Sequence, residues 1–192
     1  MSSINFTKAE LAAAVARGVR QCVIIGSRQH PWREALRSSP EQTVKVFAVD
    51  EDPQLDSPAT VVPTQFASEA LATALEKSGF DKRKASLFVW LGSTGYRTVE
   101  AALASLAFIA SLPKGSGVVF DYAVERTSLG SLTHTALDGL SSRISEASGS
   151  VKYLIQPQAV AAMLRGLGFQ QIVDLVQEGL PTCGGHLVSA LV

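Results

Sequence analysis

Between Gln21 and Asp50 the sequence spells out one structural unit. A short apolar run, Cys22-Val23-Ile24-Ile25, ends at Gly26; a helix-like segment follows, and a second run, Val44 to Val49, stops on Asp50. That order predicts a strand, a glycine turn, a helix and a second strand with a carboxylate at its carboxyl end. Strands joined through a helix are parallel neighbours, because the helix returns the chain to the end of the sheet it left. Open parallel sheets take nucleotide-type ligands at such turns, and an acidic residue receives the ribose hydroxyls. The Gly26-to-Asp50 separation is close to the roughly 20 residues of that arrangement. The turn itself, Gly26-Ser27-Arg28-Gln29-His30-Pro31, has no second glycine.

The same alternation runs to the carboxyl terminus. Residues 7–19 predict a helix, with Thr7 and Glu10 spaced as a capping box. Strand 1 is expected at 21–26, a helix from Pro31 to Leu36, strand 2 at 43–49 and a short strand at 60–62. A helix over 68–77 is closed by Gly79, and strand 4 covers Ser86 to Leu91. A helix over 98–111 stops before Pro113, strand 5 covers Gly117 to Tyr122, and further helices are expected near 128–146 and 157–166. Two last strands, Gln171 to Leu175 and His186 to Leu191, have only a loop between them. That loop is too short for a helical crossover, so they pair antiparallel. The prediction is an α/β, Rossmann-like parallel sheet with helices on both faces and a C-terminal antiparallel hairpin, in a single domain over 1–192 that opens on a short N-terminal helix within 1–20.

Composition narrows the partners. With 17 basic and 17 acidic residues the formal net charge is +0, and no basic run exists. Broad attraction to nucleic acid or to anionic lipid is therefore not expected. No apolar stretch approaches the roughly 20 residues of a membrane span. The first ten residues lack a charged region followed by an apolar one, and two cysteines, Cys22 and Cys183, make no disulfide framework. A cytoplasmic protein is the expectation. Three histidines and two distant cysteines give no metal-ligand spacing.

Several segments together resemble the leucine carboxyl methyltransferase family, including its bacterial branch of polyketide-type O-methyltransferases. They are Gly18 to Gly26, Trp32-Arg33, Val46-Phe47-Ala48-Val49-Asp50-Glu51-Asp52-Pro53, Phe88-Val89-Trp90-Leu91-Gly92 through Tyr96, Gly115 to Tyr122, and Gly184-Gly185-His186-Leu187-Val188. The resemblance spans about Gly18 to Val192. It implies the class I methyltransferase sheet and S-adenosylmethionine as cofactor. By resemblance Gly26 is the first glycine of the cofactor turn and Asp50 the acid that takes the ribose. Gln65 stands where the family has an aspartate facing the adenine amino group, and its amide oxygen can accept the same hydrogen bond. Phe66 can pack on the ring.

The chain also departs from that pattern. Arg28 occupies the place of the family's second glycine, His30 that of an aspartate, and Leu91 that of the glutamate that pairs with the ligand's ammonium. Each lost charge-assisted contact is worth roughly 1.5–3 kcal/mol. The long amino-terminal extension that covers the family's substrate is not found in the roughly twenty residues before strand 1. Apolar surface beside strands 4 and 5, and a homodimer or partner chain that supplies the cover, are the corresponding expectations.

Methyl transfer needs an in-line approach to the sulfonium methyl, and little from side chains. A carboxylate acceptor needs no base. A hydroxyl acceptor does, and His30 and Tyr96 are the candidates near the expected cleft. Each of these residues has a plainer reading: Gly26 as a tight turn, Asp50 as loop solvation, His30 as helix entry, and His134 and His186 as structural. Three functions stay open: an O-methyltransferase acting on a small molecule or peptide, an inactive methyltransferase-like binding or assembly module, and a nicotinamide-dependent oxidoreductase, which the missing G-x-G-x-x-G disfavours.

Overall fold

Seven strands form one sheet in a computed structural model that describes residues 3–25, 44–50, 60–63, 71–91, 99–125, 157–177 and 183–192. In chain order the elements are α1 (Ser3–Ala16), β1 (Gln21–Ile25), β2 (Lys45–Asp50), β3 (Thr60–Pro63), α2 (Leu71–Lys77) and β4 (Ser86–Trp90). Then follow α3 (Val99–Ala110), β5 (Gly117–Glu125), α4 (Pro157–Leu167), β6 (Gln171–Gln177) and β7 (Cys183–Leu191). The sheet order is β3-β2-β1-β4-β5-β7-β6. The pairs β1–β2, β1–β4, β2–β3 and β4–β5 are parallel; β5–β7 and β6–β7 are antiparallel. The expected parallel sheet and closing hairpin are both present.

Burial follows from this order. β1 and β4 lie centrally, and every residue of Gln21–Ile25 and Ser86–Trp90 is buried. Strands covered on both faces lose the apolar–polar alternation and read as continuous apolar runs, which is how these two read. Alternate residues feed two separate cores. Val23, Ile25, Phe47, Val49, Phe88, Trp90, Val118 and Tyr122 face α2, α3 and α4, with Leu75, Ile109, Leu164 and Phe169. Cys22, Ile24, Leu87, Val89, Leu91, Val119 and Leu187 face α1, with Phe6, Leu11 and Ala14.

α1 begins four residues before the expected cap. Thr7 is buried inside the helix, and its hydroxyl donates to the Ser3 carbonyl at 2.8 Å. The capping-box reading is therefore corrected: a hydroxyl one turn inside a helix bonds back to the fourth preceding carbonyl. The helix extends because Phe6 is driven into the α1-side core. Glu10 serves the tertiary structure instead, accepting a hydrogen bond from Ser189 on β7 at 2.8 Å. Helix α1 stops at Gly18, whose φ of 99° is the left-handed conformation of a helix end, with Val19 N–H donating to the Ala14 carbonyl at 3.0 Å.

The expected helices over 31–36 and 128–146 lie outside the described residues. Beside strands 4 and 5 the described side chains are largely buried. The large apolar ones left exposed among the described residues are Val173 and Val176, both on the edge strand β6. No helix among the described residues is long and apolar enough to cross a membrane.

Candidate functional site

The strand order reverses between β1 and β4. In an open α/β sheet the chain leaves neighbouring strands in opposite directions at that point, so a crevice opens outside their carboxyl ends. Here the strand ends that frame it are Ile25 and Trp90, which are register partners. Ile25 pairs on its other side with Val49, and Asp50 is the next residue of β2, itself paired with Pro63 of β3. Asp50 thus stands at the carboxyl end of the strand beside β1, where the sequence reading puts the ribose acid. Leu91 follows Trp90 directly. It is 1% exposed and packs in the α1-side core with Val89 and Val119. Gly26, Arg28, His30, Gln65, Phe66 and Tyr96 lie outside the described residues.

A second set of polar groups stands at the same end of the sheet. Tyr122 of β5, Asp174 of β6 and His186 of β7 meet across three strands on the α4 side. The Tyr122 hydroxyl donates to Asp174 Oδ2 at 2.5 Å, and His186 Nδ1 lies 2.7 Å from Asp174 Oδ1. Register explains the meeting: Tyr122 is opposite His186, and Asp174 is one diagonal step away, because His186 is opposite Val176. Diagonal side chains on one sheet face lie within reach of each other. Burial, and then the hydrogen bond and negative charge of Asp174, push the Tyr122 hydroxyl well above its ordinary 10.0, so it stays a donor. Both Asp174 oxygens are occupied, and a carboxylate facing Nδ1 sets the imidazole proton on that nitrogen. In the neutral ring Nε2 is then the acceptor, on a side chain that is 13% exposed.

An aromatic row leads to this group from the crevice. Ring centroids are 6.4 Å apart for Trp90 and Phe120, 6.2 Å for Phe120 and Tyr122, and 5.1 Å for Tyr122 and His186. All four residues belong to the face that carries α3 and α4. In the sequence Tyr122 and His186 fall within the family-like segments, His186 reads as structural, and nothing marks Asp174. The partners are separated by 52 and 12 residues. Only the strand order brings them together, and no local spacing marks them.

No family model matches the sequence, and no curated protein matches it. Solved structures do. The N-terminal domain of EvdMO1, crystallised in the presence of SAH and D-fucose, superposes with a TM-score of 0.63 at 14% identity, covering 100% of this chain and 84% of that one. The S-adenosylmethionine-dependent methyltransferase SibL gives a TM-score of 0.55 at 14% identity, covering 97% of this chain and 55% of its own. Human N-acetylserotonin methyltransferase in complex with SAM gives 0.54 at 11% identity, covering 96% of this chain and 51% of its own. This is the class I methyltransferase fold. The chain spans about half the length of the last two proteins.

Proposed function

We infer that the protein is an S-adenosylmethionine-dependent O-methyltransferase of a small molecule or peptide, from the bacterial polyketide-type branch of the leucine carboxyl methyltransferase family. The observation that carries the reading is the reversal of strand order between β1 and β4, the place where such sheets bind nucleotide-type ligands, with Asp50 at the neighbouring strand end. One of the similar structures was crystallised in the presence of SAH and another in complex with SAM, which supports the same ligand class. Gly26 and Asp50 would hold the ribose side and Gln65 and Phe66 the adenine, whereas Leu91 is packed in the α1-side core and lines no ligand surface. When bound, the cofactor supplies an electrophilic methyl group on a sulfonium. The chain's part is to orient an acceptor oxygen toward it and to exclude water. A cytoplasmic location and a cover supplied by a second copy or a partner chain belong to the same reading.

One observation favours a second reading, an inactive binding or assembly module. Leu91 is a fully buried hydrocarbon where the family keeps a carboxylate for the ligand's ammonium. Calorimetric titration with adenosylmethionine and adenosylhomocysteine separates the two. The enzyme reading expects saturable heat for both ligands. It also expects Asp50→Ala to weaken binding about tenfold or more, the roughly 1.5–3 kcal/mol of a charged hydrogen bond. The absence of both heat and a thermal shift at millimolar ligand would overturn it and leave the module.

A further inference from the structure

The Tyr122–Asp174–His186 group stands at the end of the sheet where β1 and β4 finish, with Tyr122 and His186 two residues beyond the register of Trp90. We propose that His186 Nε2 is the general base for a phenolic hydroxyl acceptor, with Asp174 and Tyr122 as its positioning residues. This assignment rests on the methyl-transfer reading, and it favours a hydroxyl over a carboxylate as the methylated group.

The argument is geometric. His186 is opposite Tyr122, two residues past Phe120, which is the register partner of the last β4 residue, Trp90. At roughly 3.3 Å per residue, His186 lies about 7 Å beyond the floor of the crevice on its open side. β7 is the second strand over from β4, or about 10 Å at the usual strand spacing. Of the row Trp90–Phe120–Tyr122 between them, Trp90 and Tyr122 are buried and Phe120 is half-buried, so Phe120 is the ring that can meet an aromatic acceptor. Offset and edge-on contacts between rings at such centroid separations are favourable. A carboxylate on Nδ1, with Nε2 left as the acceptor, orients an imidazole to take a proton. The titratable groups facing His186 from the strands packed against it, among the described residues, are Tyr122 on β5 and Asp174 on β6.

The step balances without another reactant. The acceptor oxygen forms a bond to the methyl carbon as the carbon–sulfur bond of adenosylmethionine breaks, and that electron pair stays on sulfur to give adenosylhomocysteine. The hydroxyl proton passes to His186 Nε2 and then to water.

The test uses 4-nitrophenol, whose phenolate is visible by absorbance, titrated into the protein with and without adenosylhomocysteine. Wild type is expected to raise the bound phenolate fraction, and His186→Gln to cut that gain at least tenfold while adenosylhomocysteine affinity stays within twofold. Asp174→Asn is expected to cut it several-fold and to shift the imidazole away from the Nδ1–H tautomer in nitrogen NMR. Tyr122→Phe, which keeps the ring, is expected to act in the same direction and more weakly. A purely structural network would also shift the tautomer in Asp174→Asn, but it would leave the phenolate band unmoved in variants that melt normally. Unchanged phenolate in His186→Gln, or none in wild type that binds adenosylhomocysteine, would overturn the proposal. A His186-dependent band without any adenosylhomocysteine binding would keep the base and defeat the methyl-transfer reading instead.

Discussion

Cys22 sits on β1 with no exposed surface, and burial pushes its thiol up to about 12 from an ordinary 9.0. A buried thiolate has lost its water without gaining a partner, so the folded chain holds the proton that the unfolded chain releases. The folded value is the higher one. The associated stability is therefore complete below about pH 9 and is lost as pH rises toward 12, at up to about 1.4 kcal/mol per pH unit. Tyr122 acts with the same sign above its ordinary 10.0. Urea denaturation at several values between pH 8 and 11 should therefore show wild-type stability falling steeply, and Cys22→Ala, despite its smaller side chain, falling less steeply. Parallel curves for the two proteins would contradict this. At the residue scale the sequence was only partly legible. Cys22 was readable as buried because it heads an apolar run. Thr7 misled because a capping signature is local, whereas the burial of Phe6 that extends the helix is not.

The elements were more legible than their contacts. Continuous apolar runs at β1 and β4 signal strands covered on both faces, and the bare loop between β6 and β7 signals a hairpin. The boundaries shifted where pairing decides them: β5 runs on to Glu125 and β7 starts at Cys183, because the two strands sustain each other over nine register pairs from Gly117–Leu191 to Glu125–Cys183. That ladder explains a residue that the family segment Gly115 to Tyr122 contains without accounting for it. A Cβ on Gly117 would stand 2.5 Å from Leu191 Cδ2 and 2.7 Å from the Ala190 carbonyl oxygen. The leucine tip can move, but the carbonyl belongs to the ladder. Gly117→Ala is expected to cost about 1–3 kcal/mol, the usual range for overpacking, and to loosen β7 and with it His186. Amide exchange and urea midpoints would read both effects; an unchanged midpoint would show that the strand yields at no cost. The polar group on β5, β6 and β7 could not be read at this scale at all, since each strand supplies a single polar residue that alone looks structural.

At the scale of the whole molecule, the order β3-β2-β1-β4-β5-β7-β6 sorts the chemistry along one end of the sheet. Asp50 marks one side of the crevice, and Tyr122, Asp174 and His186 mark the other. The two cores lock the strands between α1 and the α2–α3–α4 layer, so that these ends stay in register. The sequence made the parallel strands β1 and β2 and the place of Asp50 at a strand end legible, because their apolar runs are close in the chain, while Gly26 and the turn after it lie outside the described residues. The acceptor side was hidden because it is assembled from three strands that only topology makes neighbours. The central claim is that the β1–β4 crevice receives the adenosyl ligand. Hydrogen exchange read by mass spectrometry, with and without saturating adenosylhomocysteine, tests it most directly. The account predicts slowed exchange in peptides that carry the carboxyl ends of β1, β2 and β4, with β6 unchanged; protection absent from those strand ends, or confined to β6, would contradict it.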